Sequence, residues 1–260
     1  ACAVSWALWL PLANADVGDI LRSVLLVVGT FGPVVGALAM LVARHGLPGA
    51  RDRVRRLLRW RIGFGWWAVA LLGPVAIILA GIGVAIAAGV DVSGWSDTEQ
   101  WYLVVPVFAY VVVFGGPLGE ELGWRGWALP RLQALTSPVA ASLVIGVAWS
   151  LWHWPLFLIE GTVQQSTPLA AFGLQIIVAS VVYTWLWNRT ASLPIVIGFH
   201  AAFNTAVGVF PILPETAGTP VPLWTGIGVG GLVALALIGA TRGRLGLRPE
   251  SPAARAGPIG

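Results

Sequence analysis

The chain is a succession of apolar runs, at about 20–43, 62–90, 101–119, 137–158, 169–187, 192–210 and 223–240. Each is close to the ~20 residues that a helix needs to cross a bilayer. The expected fold is therefore all-α: a polytopic membrane protein, a bundle of about seven transmembrane helices forming one domain over residues 1–260. Only 10% of the residues are charged, against roughly 25% in an ordinary soluble domain. Glycines and prolines sit within the apolar runs as well as between them, which membrane helices tolerate where neighbours satisfy the freed backbone groups.

The basic residues are all arginine, and they cluster in short connections. Residues 44–61 carry Arg44, Arg51, Arg53, Arg55, Arg56, Arg59 and Arg61 against Asp52 alone, which places this connection on the cytoplasmic side. Arg125 and Arg131, then Arg189, then Arg242, Arg244 and Arg248 follow alternate runs, while Asp91, Asp97, Glu99, Glu160 and Glu215 occupy the opposite connections. The expectation is an integral plasma (inner) membrane protein with an outside N-terminus and a cytoplasmic C-terminal tail, 241–260. The net charge of +4 is thus explained by topology, and no nucleic acid is implied. The start at Ala1 reads as a trimmed chain or fragment and is unlike a signal peptide, since no basic region precedes the apolar residues. Cys2, the single cysteine, excludes an internal disulfide. Trp60, Trp66, Trp67, Trp95 and Trp101 near run ends fit an interfacial aromatic belt.

Against this background Glu120 and Glu121 are costly residues that need a reason. Gly115-Gly116-Pro117 interrupts the third run just before them, so 101–131 reads as one kinked or broken span. Neighbouring residues on a helix point about 100° apart, so the two glutamates have different tasks. Glu121 and Arg125 have the four-residue spacing of a same-face ion pair. His153 and His200 each lie inside an apolar run, and His200 shares a face with Asn204. His45 belongs to the basic connection and reads as an ordinary interfacial residue. Counting ~1.5 Å per residue from the cytoplasmic ends, Glu120 and His200 lie at similar depth, about 16 Å, with His153 roughly 8 Å deeper.

Such a set suits hydrolysis. A partly desolvated carboxylate can take a proton from water, and a nearby imidazole can orient that water or relay the proton. An amide and a second imidazole can donate to the oxyanion that develops on a carbonyl. No Gly-x-Ser-x-Gly elbow is present, and Ser150 alone keeps a serine mechanism open. Two histidines and a carboxylate, Glu120, His153 and His200, are also a zinc set, although His-Glu-x-x-His is absent.

Three motifs in order resemble those of the CPBP family, the CAAX-protease and bacteriocin-processing intramembrane proteases. Glu-Glu-x-x-x-Arg appears as Glu120 to Arg125, and His-x-x-x-Asn as His200 to Asn204. The usual Phe-x-x-x-His appears as Trp149 to His153, a departure at an aromatic packing position. The resemblance covers about 100–210, a family-like catalytic core, with 20–99 and 211–240 as accessory helices. It implies an intramembrane endopeptidase in which Glu120 activates water with His153 as partner, and His200 with Asn204 stabilises the oxyanion. Glu121 and Arg125 would orient and balance charge. A glutamate-dependent mechanism without a cofactor is favoured, with zinc as the alternative. The implied substrates are membrane-associated proteins or hydrophobic peptides, met in the lipid bilayer; cleavage site, prenylation and oligomeric state are not encoded. Two other classes use such residues: a non-catalytic immunity or scaffolding protein, and a proton-coupled transporter.

Overall fold

The computed structural model describes residues 1–15, 17–94 and 102–247, so Asp16, Trp95, Asp97, Glu99, Trp101, Arg248 and most of the C-terminal tail lie outside the described residues. The structure is all-α, with no strand among the described residues. Among the described residues six helical stretches are long and apolar enough to cross a membrane, or seven when the bent pair Asp19–Gly29 and Gly32–Leu57 is counted as one span. The expected helical bundle is therefore the observed one.

The first expected run, 20–43, is divided. Helix α2 (Asp19–Gly29) and helix α3 (Gly32–Leu57) meet at a 45° bend. Thr30 closes α2 by donating its hydroxyl to the carbonyl of Val27, and Pro33 begins α3, where its missing N–H costs nothing. The basic connection is a second departure, because α3 continues helically through it to Leu57. A kink divides α3 at Gly46, whose φ of 65° glycine adopts without penalty, and Pro48 follows. Ahead of both, the N-terminal residues, assigned to no span, form a short helix α1 (Cys2–Trp9) and one tighter turn to Ala13.

The remaining runs follow the sequence more closely. Helix α4 (Phe64–Ala87) is one apolar span. The third span is broken as expected: α5 (Val104–Phe114) ends at Gly115-Gly116, and Pro117 starts α6 (Pro117–Glu121). A π-helical segment (Leu122–Ala128) and α7 (Leu129–Gln133) complete it. Helix α8 (Pro138–Trp152) stops at His153, ahead of Pro155, and the chain continues as a 3-10 turn (Trp154–Leu158). A single turn α9 (Val163–Ser166) precedes the hairpin of α10 (Leu169–Thr190) and α11 (Leu193–Val209). The turn between them has Ala191 in the left-handed region at φ 47° and Ser192 capping α11 through the N–H of Ile195. Helix α12 (Pro214–Ala217) and the last span, α13 (Val221–Ala240), end the bundle.

Packing follows membrane rules, in which small residues allow backbones to touch. Gly146 of α8 sits against the backbone of Ile177 on α10, and Ser180 donates to the carbonyl of Ser142 at 2.9 Å across the same contact. Gly81 of α4 lies directly against the backbone of Gly226 on α13, where Thr225 donates to the Gly81 carbonyl at 2.7 Å. The largest core cluster includes Trp9, Trp149, Trp152, Tyr183, Trp187 and Phe199, and it surrounds the polar residues of the third span.

Gly81 and Gly83 lie on one helix, but nothing stands within 4 Å of a side chain added at Gly83. Gly81→Val should destabilise the bundle by about 2 kcal/mol through overpacking. Gly83→Val should leave thermal unfolding in detergent unchanged. Equal melting temperatures for the two variants would contradict this account of the α4–α13 contact.

Candidate active site

The break at Gly115-Gly116 sets the geometry of the site. Gly116 has φ 103°, a conformation for glycine, and the space where its side chain would lie is filled by Oε1 of Glu120. The next turns of the span place Glu120, Glu121 and Arg125 in the interior, each at most 3% exposed. The π-helical turn that follows is a geometry frequent at functional sites.

The two glutamates diverge, as their adjacency requires. Glu121 turns inward to an ion pair, its Oε1 3.1 Å from Nη1 of Arg125. The same oxygen lies 2.8 Å from Nδ1 of His200, reached from α11. Arg125 is further held between two rings, with its guanidinium carbon 4.2 Å from the centroids of both Trp149 and Tyr183. Cation–π contacts of this kind are strongest when desolvated, so they offset part of the cost of a fully buried arginine.

Glu120 turns instead towards α8. Its Oε2 accepts a hydrogen bond of 2.6 Å from the indole N–H of Trp149. Trp149 is twelve residues into its helix from Ser137, about 18 Å, which puts it level with Glu120. His153 lies about one turn further, at the C-terminal end of α8. A cavity of about 270 Å³ is bordered by Glu120, Trp149, His153, His200 and Asn204. Since one water occupies ≈ 30 Å³ of liquid, the cavity admits several.

Each polar group on that wall is oriented. Nδ1 of His153 meets the carbonyl of Trp149 at 2.8 Å, leaving Nε2 as the ring's other nitrogen. With Nδ1 of His200 on Glu121, Nε2 is likewise left. Asn204 donates one amide hydrogen to the carbonyl of Gly115 at 3.1 Å, a carbonyl at the end of α5. Its second amide hydrogen remains. Glu121 and Arg125 stand behind this wall and do not border the cavity.

A zinc set of Glu120, His153 and His200 does not fit this arrangement. Among the described residues no three His, Cys, Asp or Glu side chains gather closely enough to hold a metal ion. Oε2 of Glu120 is already engaged by the Trp149 indole, and Nδ1 of His153 by the Trp149 carbonyl.

Sequence reasoning passed over three contributors. Trp149, read as a packing position, is a hydrogen-bond donor; the signal was that a buried indole N–H usually finds a partner. Tyr183 faces Arg125 and His200 from α10, and nothing in its apolar run singled it out. Helix α1 brings Trp9 to the cavity, while Ser5 and Trp6 lock Trp152: Trp152 donates to the Ser5 hydroxyl at 2.8 Å and Trp6 to the Trp152 carbonyl at 3.0 Å. The three-residue spacing of Trp6 and Trp9 was the available sign of a buried helical face.

Fold and site together define a polytopic α-helical membrane protein with a buried Glu–Arg–His network behind an internal polar cavity. Residues 100–206 match the family model described as Rce1-like, type II CAAX prenyl endopeptidase Rce1-like. The chain is also 27% identical over 231 residues to CAAX prenyl protease 2 of Methanococcus maripaludis, covering 82% of this chain and 83% of that relative. The chain is thus similar to CAAX prenyl endopeptidases over its central segment and, more weakly, over most of its length.

Removing one member of a buried ion pair costs about 3–5 kcal/mol, because the other charge stays buried without its partner. Arg125→Leu should show a loss of that size in detergent unfolding, and Arg125→Leu with Glu121→Leu should recover part of it. A single variant as stable as the parent would show that the pair contributes nothing to the fold.

Proposed function

We propose that this protein is an intramembrane endopeptidase that hydrolyses peptide bonds with a water activated by Glu120. The observation that carries the reading is the shared border of Glu120, His153, His200 and Asn204 on one cavity, large enough for several waters, inside a membrane bundle. The similarity to CAAX prenyl endopeptidases supports the same reading.

In this reading a water held between Glu120 and Nε2 of His153 loses a proton to the carboxylate as it attacks the scissile carbonyl. The second amide hydrogen of Asn204 and Nε2–H of His200 donate to the oxyanion. For His200 to donate from both nitrogens it must be an imidazolium, and Glu121 is the counter-ion at 2.8 Å. Arg125 shares that carboxylate and fixes its position. The proton taken by Glu120 passes to the leaving amine as the tetrahedral intermediate collapses.

The substrate is a membrane-associated protein or a hydrophobic peptide. An apolar pocket between α4, α10, α11 and α13 adjoins the polar cavity and shares Gln175, Phe203, Val207 and Leu213 with it. It offers an apolar segment or chain a place beside the cleavage site. The arginine pattern supports entry from the cytoplasmic side, with the N-terminus outside and the C-terminus inside.

Purified protein should cleave a prenylated CaaX peptide or an unmodified hydrophobic peptide presented in detergent. Glu120→Gln should lower turnover at least ~10³-fold, since it removes the group that accepts the proton. A zinc chelator should leave the rate unchanged. Full turnover in Glu120→Gln would reject the assignment of that residue, and loss of activity on chelation with restoration by zinc would reject the metal-free mechanism.

A further inference from the structure

We infer that Trp149 is a positioning residue for the reaction, with its indole N–H holding Glu120 in the orientation from which the carboxylate activates water. The inference rests on the reading of Glu120 given above, and it concerns a residue at which this chain departs from the phenylalanine usual in the resembling motif. Phenylalanine fills a pocket but has no donor, so the bond to Glu120 is something this chain adds.

The ring has little freedom. Trp149 is 2% exposed, and its neighbours fix its plane: the Arg125 guanidinium over its face at 4.2 Å, and His200 and Tyr183 edge-on at 5.4 and 5.6 Å between centroids. Helix α8 itself is seated against α10 through Gly146. A ring held on these sides points its N–H in one direction, and that direction is Oε2 of Glu120 at 2.6 Å.

The consequence for Glu120 is a division between its oxygens. Oε2 is occupied by the indole. Oε1, in the space left by Gly116, receives no side-chain hydrogen bond among the described residues and is the oxygen left for water. Without the indole the carboxylate can turn about its terminal torsion, which for glutamate is broad. Trp149 also holds His153 through its carbonyl, at 2.8 Å from Nδ1. One residue therefore orients both the carboxylate and the imidazole that border the cavity, its side chain serving one and its backbone the other.

The donor can be separated from the shape by replacing Trp149 with benzothienylalanine, which keeps the bicyclic outline and has sulfur in place of N–H. Trp149→Phe tests the same loss with a smaller ring, and 7-azatryptophan keeps the donor. Turnover of the prenylated CaaX peptide should fall about ten- to a hundredfold in the first two, the worth of a hydrogen bond to a charged group, with KM within about twofold. The 7-azatryptophan protein should retain the parental kcat. The parental kcat in the benzothienylalanine protein would overturn the inference, as would a rise in KM with unchanged kcat, which marks a substrate wall. Melting temperature in detergent separates these outcomes from misfolding, and the isostere covers the case in which Trp149→Phe does not fold. Glu120→Gln distinguishes the two levels: if it stays active, the proposed function fails. If it is inactive while the benzothienylalanine protein works normally, only the role of Trp149 fails.

Discussion

A carboxylate, Glu121, fully removed from solvent in the middle of a membrane bundle, is the constraint around which the other polar residues are arranged. Desolvating such a charge costs several kcal/mol, so it persists only where partners surround it. Arg125 supplies the opposite charge one turn along the same span, and His200 supplies a second contact from α11. Arg125 in turn needs its own compensation, which comes from the faces of Trp149 and Tyr183. Three elements, α8, α10 and α11, are thereby tied to the third span by the requirement that no charge be left alone. The polar cavity lies where these tied elements face one another.

The break in the third span serves the same end. A continuous helix would use the Gly115 carbonyl internally and would place a Cβ where Oε1 of Glu120 lies. The pair of glycines releases that carbonyl to Asn204 and opens that space. The π-helical turn after Glu121 then widens the helix as Arg125 enters the core. Local irregularity of this kind is tolerated at membrane depth only where it is buried in protein or lines a cavity, and here it does both.

Much of this was legible because hydrophobicity and spacing are local properties. The apolar runs gave the spans, Gly115-Gly116-Pro117 gave the break, and four-residue spacings put Glu121 with Arg125 and His200 with Asn204. What stayed hidden depends on long-range contact. The bond between Trp149 and Glu120 joins residues 29 apart, and an indole in an apolar run looks the same whether its N–H meets a carboxylate or a carbonyl. The bend between α2 and α3 and the helical basic connection were missed because charge patterning reports sidedness and is silent on backbone conformation. Helix α1 was too short to register as a span, yet its Trp9 closes part of the cavity because Trp152 and the Ser5 hydroxyl anchor it.

Helix α11 carries two kinds of residue in alternation. His200 and Asn204 face the polar cavity, while Phe199 lines the apolar pocket and Phe203 borders both. A rigid rod with one face in each chamber cannot be adjusted on one side alone. A bulkier group pressing on Phe199 or Phe203 would also shift the imidazole and the carboxamide. On the proposed function, a lineage that changes what the apolar chamber accepts is therefore steered towards the opposite walls, Ile77 and Ile78 on α4 or Leu223 and Ile227 on α13. Divergence among such proteins would then gather on the flanking spans, leaving α11 as the part that varies least.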